Sequence, residues 1–341
     1  MKLTRGINFG GWLSQCDHTK ERYDTFLGRE DVVRVAGWGF DHIRLPFDYN
    51  VVEDGFGRAK PEGYAYLDRM AEWCGECGLD LVLDLHKAPG YDFNNAGNIQ
   101  ENSLFTDITL QKRFVGLWNT ISSRYGSREN VAFELLNEVV EQEAASPWNA
   151  LIAETVGVIR KNASQRTIIY GGIQWNSART LALLDKPADG NIVYTFHFYE
   201  PLIFTHQKAR WVQNMIMDRD IHYPGTMEYY ARLSQVLGDQ GKVAADSEGN
   251  ESGAALISEM AAEAVAAAEK AGVRLYCGEF GVIDQAPPAD TLEWFRDVLS
   301  VFGRADIGCA VWTYKQMDFG ICGEHYDSIR DDIIKTIAAA Y

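Results

Sequence analysis

The chain has 341 residues, 46% hydrophobic and 23% charged, which is enough apolar material for one large globular domain. Its net charge of -16 and isoelectric point near 4.9 argue against a polyanionic partner, so nucleic acid and anionic membrane surfaces are not expected and the substrate should be neutral or cationic. No run reaches transmembrane length and no leader-type segment precedes Met1-Lys-Leu-Thr-Arg5, which reads as a cytoplasmic protein, or as a secreted one if a leader has been removed.

From the N-terminus, short apolar runs alternate with longer amphipathic or alanine-rich stretches. Strands are expected at 5–9, 40–45, 79–85, 131–137, 167–171, 191–197, 274–279 and 307–313. Helices are expected at 28–38, 64–77, 107–124, 147–163, 176–184, 225–238, 252–271 and 288–303, with a closing helix near 326–339. Repeated β-then-α units on this scale give an α/β fold, a (β/α)8 TIM barrel, read as a single catalytic domain over 1–341. A doubly wound sheet is the competing architecture, but the G-x-G-x-x-G loop it would bring is absent; Gly6 to Gly11 has the wrong spacing. The longest insertion, about 200–250, follows the sixth strand and should rise over the active face.

Six cysteines stand at 16, 74, 77, 277, 309 and 322. Those at 277 and 309 lie in strand-like runs and read as buried thiols. The pair Cys74-Gly-Glu-Cys77 has no second pair or histidine cluster to make it a metal site.

Chemistry in a barrel gathers where strands end. The second strand ends Asp41-His-Ile-Arg44-Leu-Pro46, the third Asp84-Leu-His86-Lys-Ala-Pro-Gly90, and the fourth Asn137-Glu138. The sixth ends His197-Phe-Tyr199, the seventh Gly278-Glu279-Phe-Gly281, and the eighth Trp312-Thr-Tyr314. Two glutamates at the ends of buried strands suit paired-carboxylate chemistry on a sugar bond. Arg44 with Asp84 could instead be an internal barrel ion pair, and Asp84, His42 and Glu134 read as a buried polar layer beneath the site. Trp175 and Trp211, and less so Trp12 and Tyr91, are candidates for stacking on sugar rings from the loops.

From Gly6 to about Tyr314 the chain resembles glycoside hydrolase family 5, the cellulase-like branch of the (β/α)8 retaining β-glycosidases. The features that carry the resemblance are Asn137-Glu138, the Gly-Glu-Phe-Gly run at 278–281, the His86-x-x-Pro89-Gly90 turn and His197-x-Tyr199. The resemblance implies Glu138 as acid/base and Glu279 as nucleophile, with Arg44 and Tyr199 holding Glu279. It further implies that Asn137 binds the sugar 2-hydroxyl, that His86 and His197 line the cleaved sugar's site, and that Trp312 lies beneath that sugar. No metal and no cofactor are implied.

The opening Arg5-Gly-Ile-Asn-Phe-Gly-Gly-Trp12 is similar to the family's exo-acting β-1,3-glucanases, whereas the 197–206 run is similar to its cellulases. Val139 stands where many members have proline. The reading is a hydrolase of β-1,4-glucan or its oligosaccharides; the alternatives are an exo-acting β-glucosidase or β-1,3-glucanase, then a β-mannanase. A sugar-binding barrel without turnover and a metal-dependent hydrolase are the competing classes, and the oligomeric state is open.

Overall fold

The computed structural model describes residues 1–341. Its strands are β1 (Arg5–Asn8), β2 (His42–Asp48), β3 (Asp80–Lys87), β4 (Val131–Glu134), β5 (Ile168–Gly171), β6 (Ile192–Phe198), β7 (Arg274–Phe280) and β8 (Gly308–Val311). Each pairs in parallel with the next and β8 returns to β1, so the sheet is a closed eight-stranded barrel. Helices Arg29–Gly37, Pro61–Glu76, Ile108–Tyr125, Ala145–Asn162, Gly253–Ala271 and Pro288–Arg304 connect successive strands, and Arg330–Ala339 closes the chain. Local signals set several helix ends: Pro61 opens one helix, and the Asp107 carboxylate caps another by accepting from the backbone of Thr109. None of the helices is long and apolar enough to cross a membrane.

Three expected elements differ. The second strand continues beyond 45 through Pro46 to Asp48, because residues 45–47 keep their register against 83–85 of β3 and Asp48 pairs with Lys87 after a one-residue shift. Arg44 therefore lies mid-strand inside the barrel and not at its rim. The fourth strand ends at Glu134 as a ladder, although Leu135 still donates to Ile169 and Asn137 to Leu85. Between β5 and β6 the expected α-helix is a 3-10 segment, Ala178–Leu183, packed against helix Gly253–Ala271; Pro187 and Gly190 leave too little chain for more.

The barrel interior is filled in layers, because inward side chains recur every second residue. Val82, Ala132, Ile169, Val193, Tyr276 and Ala310, one from each of β3 to β8, form an apolar floor with Leu3. Two residues further along the same strands come Asp84, Glu134, Gly171, Thr195, Gly278 and Trp312. The polar machinery thus stands above this layer, whose one hydroxyl, on Tyr276, meets His42 Nε2 at 2.8 Å, and opens at the C-terminal end of the barrel.

The 200–250 insertion is not an open loop. Short helices Leu202–Thr205 and Met227–Ser234 anchor it through buried Phe204, Tyr223 and Tyr230. The Tyr223 ring lies 5.4 Å from Phe204, and its hydroxyl donates to Asp297 at 2.8 Å, on helix Pro288–Arg304.

Candidate active site

Arg44, with no exposed surface, is the hub of the site. Its guanidinium forks onto Glu134, Nε to Oε2 at 2.8 Å and Nη2 to Oε1 at 2.9 Å. The same group donates to Glu279 Oε1 at 2.7 Å, Asn8 Oδ1 at 2.9 Å and Asn137 Oδ1 at 2.8 Å, and lies 3.1 Å from Asp84 Oδ2. Three buried carboxyl groups thus touch one cation. Burial pushes both Asp84 and Glu134 up to about 7, against the pull of Arg44. Of the polar layer expected beneath the site, Asp84 and Glu134 meet Arg44, whereas His42 lies one layer lower, bonded to Asp41 and Tyr276.

Glu138 and Glu279 face each other at the barrel mouth, both buried, with one oxygen of each within 4.8 Å. Their surroundings differ. Glu279 is gripped by Arg44 and accepts from the Tyr199 hydroxyl at 2.9 Å, two contacts that favour the carboxylate. Glu138 has no cation in contact; its Oε1 lies 2.7 Å from His197 Nδ1. Burial raises both carboxyls, with the charge of Glu279 raising Glu138 well further and the guanidinium restraining Glu279. A single proton shared between them therefore resides on Glu138.

Burial and Arg44 depress His197 well below the usual histidine range, so its ring is neutral. Its Nδ1 also lies 3.6 Å from Glu279 Oε2. His86, lowered to about 4 by burial, is neutral too: Nδ1 meets Asp84 Oδ2 at 2.7 Å and Nε2 meets the Gln15 amide at 2.9 Å. Trp312 lies parallel to His86, with ring centroids 5.7 Å apart. Gly281 is required here, since a Cβ on it would sit 2.3 Å from the Trp312 carbonyl oxygen.

The structure thus gathers Arg44, His86, Asn137, Glu138, His197, Tyr199, Glu279 and Trp312 into one cluster. Trp175, half-buried, stands beside it and donates its backbone N–H to Val139 O. Trp211 is 57% exposed on the insertion, and no ring contact or hydrogen bond joins it to the cluster. Two loop aromatics are anchors and not exposed platforms. Trp12 is buried with Nε1 donating to Tyr23 O, and the Tyr91 hydroxyl donates to Glu138 O while accepting from Val140 N.

A sequence profile described as Cellulase (glycosyl hydrolase family 5) matches residues 17–318. The chain belongs to glycosyl hydrolase family 5. Among relatives, "Endoglucanase C" of Acetivibrio thermocellus is 42% identical over 340 residues, covering 98% of this chain and 97% of that protein. "Cellodextrinase A" of Ruminococcus flavefaciens is 39% identical, covering 91% of this chain and 87% of the relative. A solved structure of Thermotoga maritima Cel5A in complex with cellobiose superposes with a TM-score of 0.74 at 23% identity, covering 98% and 97% of the two chains, and supports the barrel fold.

Two contributors to this family 5 site escape sequence reasoning. Asn8 donates to Gly278 O at 2.9 Å and accepts from Arg44, stitching β1 to β7. A polar residue inside the apolar run Gly6-Ile-Asn-Phe9 was the only signal for it. Gln15, in an irregular loop, gave none.

Proposed function

We propose that this family 5 glycoside hydrolase is a retaining endo-β-1,4-glucanase, acting through residues 1–341 as one catalytic domain. The observation that carries it is the pair of buried carboxyls within 4.8 Å, one gripped by Arg44 and Tyr199 and the other without a cation and pushed well above the usual carboxyl range by burial and by its partner's charge. Retention needs carboxyl groups about 5–5.5 Å apart, whereas inversion leaves room for a water between them. Glu279, aimed by Arg44 and Tyr199, attacks the anomeric carbon while Glu138 protonates the leaving oxygen. Glu138, then a carboxylate, draws the proton from the water that releases the sugar. Asn137 accepts from Arg44 through its carbonyl oxygen, which leaves its N–H groups for the sugar 2-hydroxyl. Trp312 and His86 line the site of the cleaved sugar.

The names of the relatives support β-1,4-glucan as the substrate class. On soluble carboxymethylcellulose, viscosity should fall well before reducing ends accumulate; release of one small sugar from the start would instead favour the exo-acting reading suggested by the cellodextrinase relative. Glu138, His197 and Glu279 also bring donor atoms close enough for a cation. Both Glu279 oxygens are already occupied by Arg44 and Tyr199, and His197 Nδ1 by Glu138, so a cation would have to displace them. Activity should survive exhaustive dialysis against EDTA. Loss restored by a divalent ion would contradict this mechanism.

A further inference from the structure

Beneath His197 the barrel is built of small residues. The layer that carries Asp84 and Glu134 on β3 and β4 continues as Gly171, Thr195 and Gly278 on β5, β6 and β7. Gly171 is the register partner of Thr195, and Gly278 is the residue skipped where the β6–β7 register shifts between Phe196 and His197. Three polar groups bordering this space have no partner within the protein: Thr195 Oγ1, His197 Nε2 and both side-chain atoms of Asn176. Thr195 and Asn176 have no exposed surface.

The three groups adjoin one another. A Cβ on Gly278 would lie 3.0 Å from Thr195 Oγ1, 3.3 Å from His197 Nε2 and 3.5 Å from Arg44 Nε, so all three atoms flank the space over Gly278, and the first two bond neither each other nor any other group; a water in that space would reach both. A Cβ on Gly171 would meet Asn176 Oδ1 at 1.7 Å and Thr195 O at 2.6 Å, which places that amide over Gly171. Orphaned buried donors and acceptors are costly, and three at one place under a catalytic residue need a physical reason.

We propose that Thr195 is a positioning residue that, through a buried water, holds the His197 ring against Glu138 and thereby directs the proton of Glu138. The neutral imidazole carries one hydrogen. With it on Nδ1, the ring donates to Glu138 Oε1 and the acid proton stays on Oε2, free to face the leaving oxygen. Nε2 is then a bare acceptor that must be given a hydrogen, which the Thr195 hydroxyl supplies through the water. With the hydrogen on Nε2 instead, Nδ1 becomes the acceptor, and the Glu138 proton is tied to histidine and withheld from the substrate. No bond to carbon changes and no proton is consumed; hydroxyl and water can each donate or accept, so the bridge serves the ring by holding it in place against Glu138.

The proposal rests on Glu138 being the acid, so the experiment separates the two. Values of kcat/KM are measured for phenyl and 2,4-dinitrophenyl β-cellobioside, whose leaving groups do and do not need protonation, with wild type, Thr195→Val, Thr195→Ser and Glu138→Ala. Glu138→Ala losing phenyl but retaining dinitrophenyl cleavage upholds the acid assignment; equal loss on both overturns that assignment and this proposal with it. Given the first result, Thr195→Val should lose about tenfold on the phenyl substrate and less than about twofold on the dinitrophenyl one, the size of one lost hydrogen bond. Its basic limb should move to higher pH, because the donation from Nδ1 that favoured the Glu138 carboxylate is lost, and Thr195→Ser should restore both. Equal effects of Thr195→Val on the two substrates, or no effect, would overturn the role of Thr195. Should the valine variant not fold, a high-resolution crystal structure of wild type decides: a water bonded to both Thr195 Oγ1 and His197 Nε2 upholds the relay, and a dry site removes it.

Discussion

Glu279→Ala is expected to lower kcat on soluble β-1,4-glucan by on the order of 10^4-fold to 10^6-fold, with KM changed by little, because the residue that forms the covalent intermediate is gone while the cleft is intact. The loss arises from chemistry and not from folding. Glu279 is near the barrel mouth, and its removal relieves crowding among carboxyls that share one guanidinium. Added azide should partly restore cleavage of an activated aryl cellobioside in this variant and give the α-glycosyl azide, since the small anion attacks from the face that Glu279 left. In Glu138→Ala the same anion should give the β-glycosyl azide, by attack on the intermediate from the opposite face. Measuring the anomeric configuration by proton NMR tests both assignments together. A β product from Glu279→Ala would exchange the two roles.

Arg44→Met should be the most damaging substitution for the fold. Removing one partner of a buried ionic network leaves charge uncompensated, at a cost of about 3–5 kcal/mol. Asp84 and Glu134, already pushed up to about 7, lose the cation that opposes their burial. Thermal unfolding should occur on the order of 10 °C lower than in wild type for a chain of this size. Whatever folds should show a displaced acid limb of kcat/KM. Arg44 is what restrains the upward push of burial on Glu279, so without it the nucleophile ionises only at higher pH, and activity falls first at acidic and neutral pH. Arg44→Lys keeps the charge but not the fork, and should fold better than it catalyses. An unchanged melting temperature in Arg44→Met would mean that the buried carboxyls carry no charge for Arg44 to balance.

The barrel and its chemistry were legible in the sequence for a common reason: strand period and carboxylates at strand ends are local signals. Glu138, Glu279, His197 and Tyr199 each sit where an apolar run stops, and that stop is visible without any knowledge of contacts. Partnerships were less legible. Nothing in the spacing shows that the fork of Arg44 goes to Glu134 while a single nitrogen reaches Glu279. That choice depends on which strand tilts toward which, a property of barrel closure. Loop aromatics were least legible, because irregular segments have no periodicity to separate an exposed ring from a buried one. Trp12 and Tyr91 prove to be anchors whose polar ends bond to backbone, while Trp211 stands in solvent. The 176–184 segment carried helix-forming residues, yet the short span between β5 and β6 held it to a 3-10 turn.

The central claim, a double displacement through Glu279, is tested most directly by trapping the intermediate. Incubation with 2-deoxy-2-fluoro-β-cellobiosyl fluoride slows release of the sugar, and mass spectrometry of the intact protein followed by peptide mapping locates the label. The account predicts one fluorocellobiosyl group per chain, on the peptide that contains Glu279. A label on Glu138, or turnover with no covalent adduct, would contradict it.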